Sequence, residues 1–188
     1  MRIIAGEFRG RKLLGPETDS TRPITDRAKQ SLFDVLAPLI PGAVVHDCFA
    51  GTGSMGLECL SRGAAHAAFF EKDRSALERL RTNIRSLEVI DRCSVVSGDI
   101  FRVFAPGGML PGVARADLFF LDPPYRYLQE KPEALRGLVV YLVAEHLNPD
   151  ATIIFRHDAE DALELGRVRR YDQRDYGRMR IELLRPEP

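Results

Sequence analysis

The chain has 188 residues, 45% of them apolar, and its 27 Lys+Arg balance its 27 Asp+Glu. That length and apolar share suit one compact domain with a real core and exclude a disordered chain. The longest uncharged apolar run, Gly137 to Ala144, is far short of the roughly 20 residues that span a bilayer, and Met1 to Glu7 lacks the apolar core of a signal peptide. Cys48, Cys59 and Cys93 lie far apart without a CxxC pair, which argues against a disulfide framework or a metal site and for a cytoplasmic location. The zero net charge hides an asymmetry. Residues 1–29 hold seven Lys/Arg against four Asp/Glu, residues 166–188 again seven against four, and residues 30–165 only 13 against 19. Terminal strands that expose charge to water would produce this pattern. So would two ends that converge on a phosphate-binding face.

In chain order, residues 1–22 are polar and punctuated by Gly6, Gly10 and Gly15, which reads as a β-hairpin or extended arm. Thr21-Arg22-Pro23 is a turn, and Thr25 caps a helix that carries Ala28, Leu32, Val35 and Leu36 until Pro38 stops it. From residue 43 strands and helices alternate. Val44–Phe49 is a strand, Ser54–Arg62 a helix, Ala67–Glu71 a strand and Asp73–Leu87 an amphipathic helix. Ser94–Val96 and Asp117–Leu121 are further strands, Pro132–Leu147 is a helix, and Asn148-Pro149 turns into a strand over Ala151–Phe155. Two last strands, near 166–174 and 179–184, flank Tyr176-Gly177 and should pair antiparallel. The pattern predicts a doubly wound α/β fold with a mostly parallel sheet of seven strands.

Two segments carry chemistry. Gly51, Gly53 and Gly56 form GxGxxG between a strand and a helix, with Glu71 twenty residues after Gly51 at the next strand's end. Glycines let a ligand approach the backbone, and a carboxylate at that place holds ribose hydroxyls. Asp47 lies just before the loop, where it would repel a pyrophosphate and welcome a sulfonium and an ammonium group. S-adenosylmethionine is therefore favoured over a dinucleotide. Asp99 is placed either to accept from an adenine amine or to cap a helix. The second segment is Asp122-Pro123-Pro124-Tyr125, where two prolines after a buried strand fix Asp122 and Tyr125 at the sheet's carboxyl edge. Asp122 and the Pro123 carbonyl can accept from the two N–H groups of an exocyclic amine, while Tyr125 stacks on the base. The four His residues show no pairing pattern and suit core or surface places.

With these motifs and Arg2-Ile3-Ile4-Ala5-Gly6, Arg9-Gly10-Arg11, Thr21 to Arg27, Leu32-Phe33, Gly56-Leu57-Glu58, Phe70 to Asp73 and Tyr176-Gly177, the chain resembles the RsmD family of class I methyltransferases. The resemblance covers nearly the whole length. It implies a Rossmann-like methyltransferase domain over 23–188 behind an RNA-contacting arm over 1–22. It also implies transfer of a methyl group from S-adenosylmethionine, leaving S-adenosylhomocysteine, to guanine N2 of 16S rRNA in the small ribosomal subunit. The implied cofactor set is Asp47, Gly51, Thr52, Gly53, Gly56, Glu71, Lys72, Asp99 and Ile100. Asp122, Pro123 and Tyr125 would act on the guanine, and Arg9, Arg11, Lys12, Arg22, Thr25 and Tyr176 would meet the RNA. Neither a metal nor a membrane is implied. The chain departs from the family pattern at Arg156, where an acidic residue usually ends the fifth strand, and at Met179, where Thr is common. Other readings are an adenine-N6 DNA methyltransferase, a methyltransferase of another RNA, a nicotinamide-dependent oxidoreductase and a non-catalytic RNA-binding module.

Overall fold

The computed structural model describes residues 1–16, 24–105, 107 and 113–187. Seven strands form one sheet: β1 (Val44–Cys48), β2 (His66–Glu71), β3 (Cys93–Ser97), β4 (Ala116–Leu121), β5 (Leu147–Asp158), β6 (Val168–Tyr176) and β7 (Met179–Pro186). Their order is β3-β2-β1-β4-β5-β7-β6, parallel from β3 through β5, with β7 antiparallel to both β5 and β6. The doubly wound sheet and its antiparallel C-terminal pair agree with the pattern of the sequence. The order reverses between β1 and β4, and such a switch point opens a crevice at the strands' carboxyl ends.

Helices α1 (Asp26–Leu36), α2 (Ser54–Ser61) and α3 (Arg74–Leu87) cover one face; α4 (Ile100–Val103), α5 (Tyr127–Glu130) and α6 (Pro132–Glu145) cover the other. Strand residues alternate between the two cores. Val45, Phe69, Leu118 and Phe120 face the first layer, while Cys48, Phe70, Phe119 and Leu121 face the second. Helix α3 shows why its sequence is helical. Asp73 caps it by accepting from the Ala76 N–H at 2.8 Å, and Leu77, Leu80, Ile84 and Leu87 are all buried. Each such side chain contributes about 1.5–3 kcal/mol. Thr25 caps α1 as expected, accepting from the Ala28 N–H at 3.2 Å.

Several boundaries differ from the sequence reading. β1 ends at Cys48, because Phe49 turns into the left-handed region at φ 61°. β5 starts at Leu147, with a register shift against β4 that absorbs Asn148-Pro149, and runs to Asp158 because β7 pairs with its far half. β6 spans 168–176, displaced toward the C-terminus. Two one-turn helices, α4 and α5, occupy the crossings after β3 and β4.

The N-terminal segment is a loose hairpin with a single antiparallel bridge, Arg2 to Lys12. It is pinned to α2 and α3. Ile3 and Leu13 are buried, Glu58 accepts the Ile4 and Ala5 N–H groups at 2.8 and 3.0 Å, and Asn83 accepts the Leu14 N–H at 2.8 Å. The Glu58 carboxylate also pairs with Lys29 at 3.0 Å and Arg62 at 2.9 Å. Burial works against its charge, but Lys29, the Ile4 N–H and Arg62 outweigh burial and hold Glu58 below the ordinary carboxylate range. No helix among the described residues is long and apolar enough to cross a membrane.

Candidate active site

The strand register assembles the site. Cys48 lies beside Phe70 on one side and Leu121 on the other. Glu71 and Asp122, one residue beyond each, therefore flank the start of the glycine loop. Leu121 pairs with Phe155, which sets Arg156 beside Asp122.

The loop glycines have separate reasons. A Cβ on Gly53, at φ 87°, would stand 2.4 Å from Leu80 Cδ1, and one on Gly56 would stand 2.4 Å from Phe69 Cε1. Gly53 lets the loop pack close to α3, and Gly56 lets α2 pack close to the sheet. Gly51, at φ 55°, has open space where a Cβ would be, so its backbone borders the crevice.

Glu71 is the hub of this edge. One carboxylate oxygen accepts the Gly51 N–H at 2.8 Å, and the other accepts the Lys72 and Asp73 N–H groups, each at 2.8 Å. Asp47 is nearly buried and accepts the Gly56 N–H at 2.9 Å, which ties α2 to β1. Burial pushes its carboxyl up to about 7; the Gly56 N–H opposes the rise, and the nearby Asp122 and Glu71 carboxylates add to it. Asp122 is engaged by Arg156. The guanidinium Nε donates to Oδ1 at 2.7 Å and Nη2 pairs with Oδ2, while Nη1 points at Met179 Sδ, 3.9 Å away. The two sequence departures thus meet at one place, beside the Asp-Pro-Pro-Tyr segment.

On the other side of the loop, Phe49, Phe101 and Tyr127 form an aromatic trio with centroids 6.1–6.2 Å apart. Lys72 donates to the Tyr127 hydroxyl at 3.0 Å and lies 3.8 Å from Asp99, which caps α4 through the Phe101 N–H. Lys131 sits over the Tyr127 ring at 4.6 Å. Sequence reasoning missed this trio. Its signal was an aromatic residue just past each of three strand-to-helix crossings. The strained backbone of Phe49 fits a residue held for a function, because bulky side chains rarely adopt positive φ.

Asp47, Gly51, Gly56, Glu71, Lys72, Asp99 and Asp122 therefore gather along one sheet edge. Tyr125 follows within the turn that leads to α5, its carbonyl accepting the Leu128 N–H at 3.1 Å. Ile100 and Thr52 are buried; the Thr52 carbonyl accepts from Asn83 at 2.9 Å. The residues expected to meet RNA are more dispersed. Arg9 and Lys12 are exposed on the arm, and Arg11 donates to the Ser86 carbonyl. Thr25 is occupied as a helix cap, Tyr176 donates to Ser31 Oγ at 2.8 Å, and Arg22 lies outside the described residues. The basic ends do meet: Arg27 and Arg174 line an open cleft of about 490 Å³ with Gln30, Ser31, Asp34 and Val35. That cleft shares no residue with the carboxylate edge. Most C-terminal arginines have partners, with Arg170 on Glu182, Arg174 on Asp172, Arg178 on Asp158 and Glu160, and Arg180 on Asp175. Their charge is largely balanced in place.

The buried histidines belong to the core. His46 bonds the Ala114 carbonyl at 3.0 Å, and burial pulls it down to about 4, so it is neutral.

Comparison with known proteins places this arrangement. The family model described as conserved hypothetical protein 95 matches residues 1–185. The ribosomal RNA small subunit methyltransferase D of Escherichia coli K12 is 41% identical over 126 residues, 67% of this chain and 61% of that enzyme, so the match spans less than two thirds of that relative. YlbH of Bacillus subtilis, provisionally named an rRNA methyltransferase, is 35% identical over 85% of this chain and 84% of its own. The solved structure of the Escherichia coli protein yhhF, titled a methyltransferase on the same provisional footing, superposes with a TM-score of 0.82 at 32% identity, covering 100% of this chain and 98% of that one. With a family match that leaves out only three C-terminal residues, the chain belongs to the RsmD family described as conserved hypothetical protein 95.

Proposed function

We propose that the protein transfers the methyl group of S-adenosylmethionine to the exocyclic N2 of a guanine in 16S rRNA of the small ribosomal subunit. The observation that carries this reading is one sheet edge on which Asp47, the glycine loop and Glu71 adjoin Asp122-Pro123-Pro124-Tyr125. The names of the relatives support the rRNA acceptor, and the exposed Arg9 and Lys12 of the arm suit contact with phosphate. Against a dinucleotide stands Asp47, a carboxylate tied to the Gly56 N–H beside the place where a pyrophosphate would rest.

When bound, the cofactor supplies an electrophilic methyl carbon on a sulfonium, which departs as a neutral thioether. The protein presents the acceptor. An amine conjugated with a purine ring is a poor nucleophile, because its lone pair is delocalised. Asp122 and the Pro123 carbonyl accept its two N–H groups, which favours pyramidal nitrogen with the lone pair aimed at the methyl group. With Asp47, the glycine loop and Glu71 holding the cofactor, that nitrogen would take the methyl group while the bonding pair of the broken C–S bond would stay on sulfur. The nitrogen, now positive, loses one proton to Asp122 or to water. Positioning supplies most of the rate.

Cofactor binding tests this reading first. Calorimetry should show S-adenosylmethionine and S-adenosylhomocysteine binding while a nicotinamide dinucleotide does not. Glu71→Ala removes the acceptor of three N–H groups and of the ribose, and should weaken both ligands by about 1–3 kcal/mol. Binding of the dinucleotide instead would reverse the assignment.

The raised Asp47 carboxyl adds a pH dependence. In the free protein it is mostly neutral at pH 6 and mostly ionised at pH 8, given a value of about 7. A sulfonium favours the ionised form, so binding releases a proton and affinity rises with pH through that window. Linkage sets the gain for S-adenosylmethionine at up to about tenfold between pH 6 and 8. The neutral thioether of S-adenosylhomocysteine should show less of it, and Asp47→Asn should remove the difference between the two. A pH-independent ratio of their affinities in the wild type would place the sulfonium away from Asp47.

A further inference from the structure

We infer that the cleft between α1 and β6 holds the ribose–phosphate backbone of the RNA strand that carries the target guanine; the inference rests on the proposed rRNA acceptor and adds where that strand leaves the crevice. Topology places the cleft. β5 ends, β7 begins and β6 ends at the carboxyl edge of the sheet, so the Tyr176-Gly177 turn stands on the same edge as Asp122. Helix α1 starts at that edge too, because Lys29, one turn in, reaches Ser54, the first residue of α2. Tyr176 pairs with Met179, whose sulfur faces Arg156, which in turn holds Asp122. Both Tyr176 and Met179 pack on the α1 side of the sheet. The cleft therefore opens beside the crevice, with these two side chains between it and the Arg156–Asp122 pair.

Each wall of the cleft carries one guanidinium. Arg27 on α1 is exposed and forms no ion pair among the described residues. Arg174 on β6 holds Asp172 through Nε and Nη2, which leaves Nη1 for a ligand. Ser31 Oγ accepts from Tyr176 and keeps its own proton to donate. Gln30 donates to Asp34, so an amide and a carboxylate stand together between the arginines. This mixture suits a ribose–phosphate chain, which alternates an anionic phosphate with a 2′-OH that both donates and accepts. The tip of the arm stands elsewhere. The Phe8 N–H is held by Ser61, the last residue of α2, so Arg9 lies roughly 12 Å below the carboxyl edge, at 1.5 Å per residue over eight residues. It suits a more distant part of the RNA, whereas Arg27 and Arg174 stand next to the reaction.

The test reads RNA binding apart from methyl transfer. A labelled small-subunit rRNA fragment is titrated by fluorescence anisotropy at several salt concentrations with wild type, Arg27→Ala, Arg174→Ala, the double variant and Arg169→Ala. Arg169 is exposed lower on β6, outside the cleft. Each cleft variant should weaken binding by roughly tenfold, the scale of one hydrogen bond between charged groups. The slope of log K against log salt should become shallower by about 0.7 for each single variant and about 1.4 for the double, the counterions released by one and two phosphate contacts on a single strand. Arg169→Ala should leave the slope near wild type. In turnover, KM for the RNA should rise with Kd, while kcat at saturating RNA and the affinity for S-adenosylhomocysteine stay near wild type. An unchanged slope in the double variant, or an equal change in Arg169→Ala, would overturn the inference. Wild type that binds the fragment but forms no N2-methylguanine on it would overturn the underlying activity, and the slopes would still decide the cleft. Wild type without salt-dependent binding would overturn the cleft and the rRNA acceptor together.

Discussion

Asp122→Ala is expected to lower kcat for methyl transfer by roughly 10²–10³-fold, the cost of losing a preorganised polar group at the reacting centre, while leaving the affinity for S-adenosylhomocysteine within a few-fold. The prediction follows from position. Asp122 stands one residue past β4, outside the glycine loop, and touches Arg156 instead of the loop backbone. Removing its carboxylate takes away an acceptor for the amine and leaves the conjugated nitrogen flat. It also leaves the Arg156 guanidinium partly buried without its partner, so part of any loss could come from a disturbed crevice. Asp122→Asn separates the two effects. It keeps the shape and one oxygen acceptor, and should retain more activity than Ala with a melting temperature near wild type. Both variants are compared by single-turnover rates at saturating cofactor. Near-normal turnover in Asp122→Ala would remove this residue from the chemistry.

Glu58→Ala should destabilise the fold by about 3–5 kcal/mol, the usual cost of stripping one partner from a buried ion pair. Glu58 is fully buried and Lys29 is 2% exposed. The carboxylate meets Lys29, Arg62 and the Ile4 and Ala5 N–H groups, so its loss strands a buried ammonium and two backbone donors. For a chain of this size, roughly 2–4 °C per kcal/mol implies a fall in Tm of about 10 °C. The arm should loosen first at its start, because the Ile4 and Ala5 N–H anchors go at once. Hydrogen exchange at Ile4 and Ala5 reads that directly. A Tm within 2–3 °C of wild type would mean that Ile3, Leu13 and the bonds to Asn83 and Ser61 hold the arm without Glu58. Since Glu58 is held below its ordinary range, its contribution is present above the unfolded value and fades as pH falls through the folded one.

The alternation of strands and helices was legible because it rests on local rules: apolar periodicity, caps at Thr25 and Asp73, and stops at Gly63 and Pro38. The core of the site was legible for a related reason. Glycines, a carboxylate at a strand end and a proline pair act through the backbone near them, and parallel strands bring their ends to one edge. Pairing across strands was not legible. Arg156 acquires its meaning only from the β4–β5 register, and that register carries a shift near Asn148-Pro149 that no local pattern signals. Glu58, within Gly56-Leu57-Glu58, gave no sign that it serves the arm, since the arm residues it holds, Ile4 and Ala5, lie 54 and 53 residues away. The charge asymmetry was real, but many C-terminal arginines are balanced by carboxylates on the same or a neighbouring strand. Charge counts do not contain that information.

Methyl transfer to guanine N2 of small-subunit rRNA is tested most directly by following the methyl group itself. The protein is incubated with S-adenosylmethionine labelled in its methyl group and with small ribosomal subunits and rRNA that lack the modification. Adenine-containing DNA is included as a competitor. Digested nucleosides are then identified by mass spectrometry. The account predicts label in N2-methylguanosine from the rRNA and none in the DNA. Label in N6-methyladenine, or no label despite measured cofactor binding, would contradict it.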